Sequence, residues 1–255
     1  MVENLFAREI NGGSVISNGN KGWRLKIPET PEDQYTLAQM DNYMQLSRRQ
    51  YLHQPPITIE LEACVSGEDV SGTWGFGFWN DPFSFGFSPG GVSRLLPVLP
   101  NAAWFFFGSE QNYLSLSEDQ PANGFHVKVF RSPIIPSIFS ILALPVLPFF
   151  FWPAAGRVIR KTARKLVKED GGRLSFRVVD WHTYGLVWEK DGVRFEVDHQ
   201  AVFSTPIKPN GKLGLVIWID NQYMQFGPDG KFRFGYAPIN TIEWMQIRNL
   251  KLILP

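Results

Sequence analysis

Over most of this 255-residue chain, apolar and polar positions alternate with a period of two, the signature of strands buried on one face. In residues 57–65, Ile57, Ile59, Leu61 and Ala63 fall on one side, and Thr58, Glu60 and Glu62 on the other. Residues 22–28 read the same way. The run 73–87 places Trp74, Phe76, Phe78 and Asn80 on one face, and Gly75, Gly77, Trp79 and Asp81 on the other. Glycines inside a strand cost stability and mark places where a backbone or a ligand comes close. Further strands are predicted at 104–108, 124–131, 174–179, 184–189, 193–198, 214–220, 231–234 and 249–254. Turn-formers separate the later ones: Lys190-Asp191-Gly192, Pro209-Asn210-Gly211 and Pro228-Asp229-Gly230. Such punctuation predicts an all-β protein, an antiparallel sandwich or jelly roll in a single domain over 1–255. A helical period occurs only at 31–49 and in the middle of the chain.

That middle, 132–170, reads as an insertion. Residues 132–156 carry no charge, long enough to cross a bilayer, but five prolines (133, 136, 145, 148, 153) forbid one straight helix. A shallow dip into a membrane interface is expected instead, anchored by Phe149, Phe150, Phe151 and Trp152. Next, Arg157, Arg160, Lys161, Arg164, Lys165 and Lys168 recur at spacings of three and one, which predicts a helix with a basic face. Val158, Ile159, Thr162, Ala163, Leu166 and Val167 would form its other face. A basic amphipathic helix beside an apolar run is built for an anionic lipid surface. The motif Leu-Pro-Val-Leu-Pro occurs at 96–100 and again at 144–148, so two loops can share one rim. A homodimer interface would use the same patch, or the run would pack on its own sandwich.

Charge sharpens the contrast. The net charge is +1, yet six of the 25 Lys and Arg lie in 157–168 with no acidic residue among them, leaving 19 basic against 24 acidic elsewhere. Basic residues confined to one helix beside apolar sequence argue against a nucleic-acid partner. With 21 Phe, 9 Trp and 7 Tyr, the chain holds more aromatic rings than a sandwich core needs, and some are expected to line a cavity. The single Cys64 lies in a strand and reads as an inert buried thiol. The first residues lack the basic and apolar regions of a signal peptide, so a cytoplasmic, peripheral-membrane protein is expected.

At Trp181-His182-Thr183-Tyr184-Gly185-Leu186-Val187-Trp188, then Lys190-Asp191-Gly192 and 193–198, the chain resembles family 16 glycoside hydrolases and the wider concanavalin A-like lectin/glucanase superfamily. There a His-x-Tyr-x-x-x-Trp strand leads through a tight turn to a strand ending in Val-Asp-Gly; here His199 takes the last place. The resemblance implies a jelly roll of two antiparallel sheets, and implies that His182 ties its strand to a neighbour. It also implies two catalytic carboxylates from a Glu-x-Asp-x-(x)-Glu strand on the concave face. The counterpart strand, 74–81, holds no Glu and only one acid, Asp81, so that mechanism is expected to be missing. A shifted pair would join Asp81 to Asp220 or Glu118.

The candidate site follows from these readings. Asp220 ends the nearly continuous apolar run 213–219, where desolvation would raise its pKa into the range of a general acid. Asp81 and His126 join it as candidate catalytic groups; the bland alternative is that Asp220-Asn221 and Asn80-Asp81 merely make turns. Trp74, Phe76, Phe78, Trp79, Asn80, Trp104, Phe106, Lys128, Trp218 and Gln222 are the candidate ligand contacts. The four His show no metal-ligand spacing, and neither a metal nor a cofactor is expected. No nucleophile elbow, phosphate loop or dinucleotide fingerprint is present. Phe-rich walls point to a hydrophobic or lipid-linked molecule, isoprenoid-like, with acid–base protonation, isomerisation or cyclisation as its chemistry. The alternatives are a glycan-binding or divergent glycosidase protein, and a non-enzymatic module that dimerises through the insertion.

Overall fold

A computed structural model of the chain describes residues 5–19, 22–82, 98–117, 122–135 and 152–254. Two antiparallel sheets of seven strands stack face to face. The first runs β1 (Phe6–Ile10), β4 (Leu37–Asp41), β13 (Gly214–Asp220), β6 (Thr73–Trp79), β7 (Ala102–Gly108), β8 (Gly124–Arg131), β9 (Lys168–Arg173). The second runs β12 (Gln200–Thr205), β11 (Val193–Val197), β10 (His182–Trp188), β5 (Ile57–Val65), β16 (Glu243–Ile253), β3 (Trp23–Ile27), β2 (Ser14–Ser17). A hairpin of β14 (Gln222–Phe226) and β15 (Phe232–Tyr236), one α-helix, α1 (Pro153–Leu166), and a 3-10 turn at Arg48–Gln50 complete the described elements. This is the jelly-roll sandwich that the alternation and the resemblance imply.

The two sheets differ in what covers them. Leu61, Leu186, Phe195, Met245 and Ile247 of the second sheet meet Phe76, Phe78, Phe105, Val127 and Ile217 of the first in the main core. Each such side chain, taken fully out of water, contributes about 1.5–3 kcal/mol. On its other face the second sheet is polar, with Glu60–Lys251 and Glu62–Arg248 pairs across β5 and β16. The first sheet is covered on both faces: every residue of β4, β7 and β13 is buried. A second apolar cluster, including Tyr43, Trp104, Phe106, Phe130, Trp218 and Val167, lies on its outer side. Double burial is why 102–107 and 213–219 read as continuous apolar runs rather than alternating ones.

Several expectations fail here. Residues 31–49 are not a helix: β4 lies between β1 and β13, and pairing on both edges outweighs the local period. Residues 174–179 form no strand; the strand is β9, whose polar Lys-Glu-Asp-Gly-Gly-Arg pairs with β8 and carries no apolar signal. β9 begins at Lys168, so the last residues of the 132–170 segment pair with β8. β12 is an edge strand and β14 a half-buried one, too weakly patterned to be read. Phe149, Phe150, Phe151 and Glu118 lie outside the described residues.

Candidate functional site

The outer face of the first sheet is the floor of a cavity of about 620 Å³, within the range that takes small organic ligands. Alternation selects the floor: Leu37 and Gln39 from β4, Trp218 and Asp220 from β13, Thr73 and Trp79 from β6, Trp104 and Phe106 from β7, Lys128 and Phe130 from β8. The roof comes from Ile159, Arg160 and Ala163 of α1, from Leu114 and Leu116, and from the β14–β15 hairpin through Met224, Phe226, Phe234 and Tyr236. Gln222 and Tyr35 close one end.

Three indoles dominate the floor. The Trp79 and Trp218 rings lie 3° from parallel with centroids 6.1 Å apart, and Trp104 sits 5.8 and 5.7 Å from them. The glycines of β6 make this possible. A Cβ on Gly75 would come within 2.8 Å of the Trp218 ring, and one on Gly77 within 2.7 Å of Trp104 Cβ. What comes close to those glycines is therefore neighbouring wall rather than ligand alone. The Trp104 indole N–H is buried with no acceptor among the described residues.

Asp220 is the titratable centre. Thr73 Oγ donates to its Oδ1 at 2.6 Å and Tyr35 Oη to its Oδ2 at 3.2 Å, while Trp218 Nε1 donates to Thr73 Oγ at 2.9 Å. Burial pushes the carboxyl up to about 7, against the opposing pull of the Thr73 and Tyr35 hydrogen bonds. Its proton is therefore lost far closer to neutrality than that of an ordinary carboxyl. Burial also raises the Tyr35 phenol well above its ordinary value, so that group stays a neutral donor.

Most other polar groups of the wall are engaged with one another. Lys128 pairs with the buried Glu169, which also accepts from Ser115 Oγ and the Leu116 N–H. Gln39 donates to Asp41, and Asn112 to the Gly72 carbonyl. Lys128 is thus a strut that holds the 114–116 loop over β8.

Of the expected contacts, Trp79, Trp104, Phe106, Lys128, Trp218 and Gln222 line the cavity, as do Asp81 and Asp220. Three do not. Trp74, Phe76 and Phe78 point into the core between the sheets, because their shared face of β6 is the inner one. Asn80 is spent on structure, donating to the Leu99 carbonyl and accepting from the Asn101 N–H. His126 is on the outer face but not in the cavity wall; its Nε2 binds the Asn123 carbonyl at 2.6 Å, and burial lowers its pKa, keeping it neutral. His182 does tie strands, its Nδ1 lying 2.7 Å from the Asp198 carboxylate. Cys64 is buried, its thiol pushed up to about 11 by desolvation.

Asp81 and Asp220 share the cavity without forming a pair. Asp220 is in register with Thr73, and Trp79, two residues short of Asp81, with Gly214 at the other end of β6. Six strand steps of about 3.3 Å separate those ends by ~20 Å, whereas glycosidase carboxyls stand roughly 5–9.5 Å apart.

The helix also departs from expectation. Gly156, Ile159, Arg160, Ala163 and Val167 face inward, and Val158 and Leu166 face out. Arg160 is buried and donates to the Phe226 and Ser117 carbonyls, with its guanidinium over the Tyr113 and Phe226 rings. It cannot be a lipid contact, since leaving would expose those carbonyls unpaired. The sequence offered no signal for Tyr35, Tyr113 or Met224, which reach the wall from loops and a weak strand. Thr73, however, sits on the Gly75, Gly77, Trp79 face of β6 and was legible there.

Among the described residues, no helix is long and apolar enough to cross a membrane, and no cluster of three or more His, Cys, Asp or Glu is placed to hold a metal. No protein-family model matches the sequence, and no curated protein is similar to it. Among solved structures, a legume lectin-like domain from Entamoeba histolytica matches all of this chain over 91% of its own length, with TM-score 0.50 and 10% identity. A Bacteroides ovatus mixed linkage glucan GH16 protein, solved with its product, matches 95% of the chain over 85% of its length, with TM-score 0.48 and 9% identity. The chain spans only 17% of a sialidase to which it is also similar. At such identities the likeness concerns architecture, and the chain has the concanavalin A-like jelly-roll fold.

Proposed function

We propose that this concanavalin A-like jelly roll binds a small, mainly apolar molecule on the outer face of its first sheet, with Asp220 as a proton donor poised near neutrality. The observation that carries the reading is the wall itself: three indoles, Phe106, Phe130, Phe226 and aliphatic side chains, with Thr73, Gln39, Asn112 and Lys128 already bonded to protein partners. A ligand rich in hydroxyls would leave many of them unpaired against rings, which costs about 1–3 kcal/mol each. A long apolar ligand costs nothing of that kind and buries its surface. Protonation of an alkene, with the isomerisation or cyclisation that follows, is chemistry a single buried acid can start.

The fold supports a second reading, and supports it better than the first: a glycan-binding or glycosidase-like protein, as the legume lectin-like domain and the glucan-directed GH16 protein are by name. The Trp79, Trp104 and Trp218 surfaces suit a sugar ring as a stacking platform. One experiment separates the two. Quenching of tryptophan fluorescence, checked by native mass spectrometry, is followed on titration with farnesol and with β-glucan oligosaccharides. Saturable binding of farnesol, weakened at least ~10-fold by Trp104→Ala, is expected. Binding of the oligosaccharides alone overturns the first reading in favour of the second.

A further inference from the structure

We infer that the outward face of α1 docks on an anionic lipid surface and so sets the roof of the cavity against the bilayer. This goes beyond the reading above and holds whichever ligand the cavity takes. The helix has two jobs on two faces. Inward, Ile159, Arg160 and Ala163 line the cavity. Outward, Val158 is 65% exposed and stands beside the exposed Lys161 and Lys165, and Trp152, which precedes the helix, is 61% exposed. At 100° per residue, 158, 161 and 165 fall within one 60° arc, opposite the arc that holds 156, 160 and 167.

Charge selects the occupant. From 132 to 168 the chain bears six cations and no anion, while the remainder has 19 basic against 24 acidic residues. No carboxylate among the described residues pairs with Lys161 or Lys165. A second copy docking through the same face about a two-fold axis would set these cations against themselves. A nucleic acid would answer the charge but leave Trp152 and Val158 without an apolar partner. An anionic bilayer answers both, with headgroups for the ammonium groups and the acyl boundary for the indole and the valine.

The test uses the full chain in co-sedimentation with vesicles of phosphatidylcholine alone and with about 30 mol % phosphatidylserine. Two variants accompany it: K161E/K165E and Trp152→Ser, both at exposed positions, with cooperative thermal unfolding as the folding check. Wild type is expected to partition at least ~10-fold more strongly onto the anionic vesicles, and to lose this advantage in high salt. K161E/K165E should lose it at all salt concentrations. Trp152→Ser should weaken binding without changing its salt slope. Equal or absent sedimentation with both vesicles, or K161E/K165E sedimenting like wild type, overturns the inference. So does retention on single-stranded DNA that matches retention on anionic vesicles at equal ionic strength.

Discussion

Asp220 sets the behaviour of the cavity at the scale of one residue. Its carboxyl sits at about 7 because burial disfavours the charged form, even with Thr73 and Tyr35 donating to it. A carboxyl whose pKa is raised in the folded state stabilises most at pH below its unfolded value, and that stability is lost as pH rises to the folded value. The window therefore runs from about pH 4 to 7, and the loss amounts to roughly 3–4 kcal/mol. Glu243, also raised by burial, acts in the same direction. Asp220→Asn keeps the shape, still accepts from Thr73, and cannot ionise. Denaturant unfolding at pH 5 and pH 8 should show a smaller fall for this variant than for wild type, leaving the part due to Glu243. Parallel falls in the two proteins would mean that Asp220 is not the group being titrated. The position of this acid was legible because an apolar run ending in Asp has few physical meanings. The partners were not: Tyr35 lies in a segment whose local period suggested a helix, and Thr73 is 147 residues away in sequence.

At the scale of elements, what the sequence hid was which face of a strand or helix points where. β6 alternates large aromatic residues with Gly-Gly-Trp, and hydrophobicity alone favours the wrong side as the ligand face. The aromatic side fills the core, and the glycine side leaves room for Trp104 and Trp218. α1 repeats the lesson, since the spacing of its five cations suggests one solvated face while Arg160 is buried under the 222–236 hairpin. Gly156 exposes the same packing. In an exposed helix interior Gly→Ala stabilises by about 1 kcal/mol. Here a Cβ would lie 2.0 Å from the Gly230 carbonyl oxygen, backbone against backbone, and neither side can rotate away. Gly156→Ala is expected to reverse the sign, costing ~1–3 kcal/mol, to open α1 to limited proteolysis, and to weaken ligand binding in the cavity. Thr162→Ala, on the outward face, should do none of these. A stabilised Gly156→Ala protein with intact binding would show that α1 does not roof the cavity as described.

For the whole molecule, strand order decides what is indispensable. Both sheets are completed late in the chain. β13 enters the first sheet between β4 and β6, and β16 enters the second between β5 and β3. The late strands are therefore woven into the sheets, and pairings between residues far apart in sequence hold both sheets together. The inserted α1 adds a roof without displacing any of these pairings. Such non-local closure must overcome loop entropy before any pairing is rewarded, so folding in milliseconds to seconds is expected rather than the microseconds of helical bundles. It also makes the last strand a keystone. Met245 and Ile247 are buried in the main core, and β16 alone joins β3 and β2 to β5. Truncation before Glu243 should abolish cooperative thermal unfolding monitored by circular dichroism, although it removes only the final 13 residues of 255. Removal of Leu254 and Pro255, beyond the last pairing, should leave the transition in place. A cooperative transition in the longer truncation would mean that the second sheet closes without β16, and that β3 can pair directly with β5.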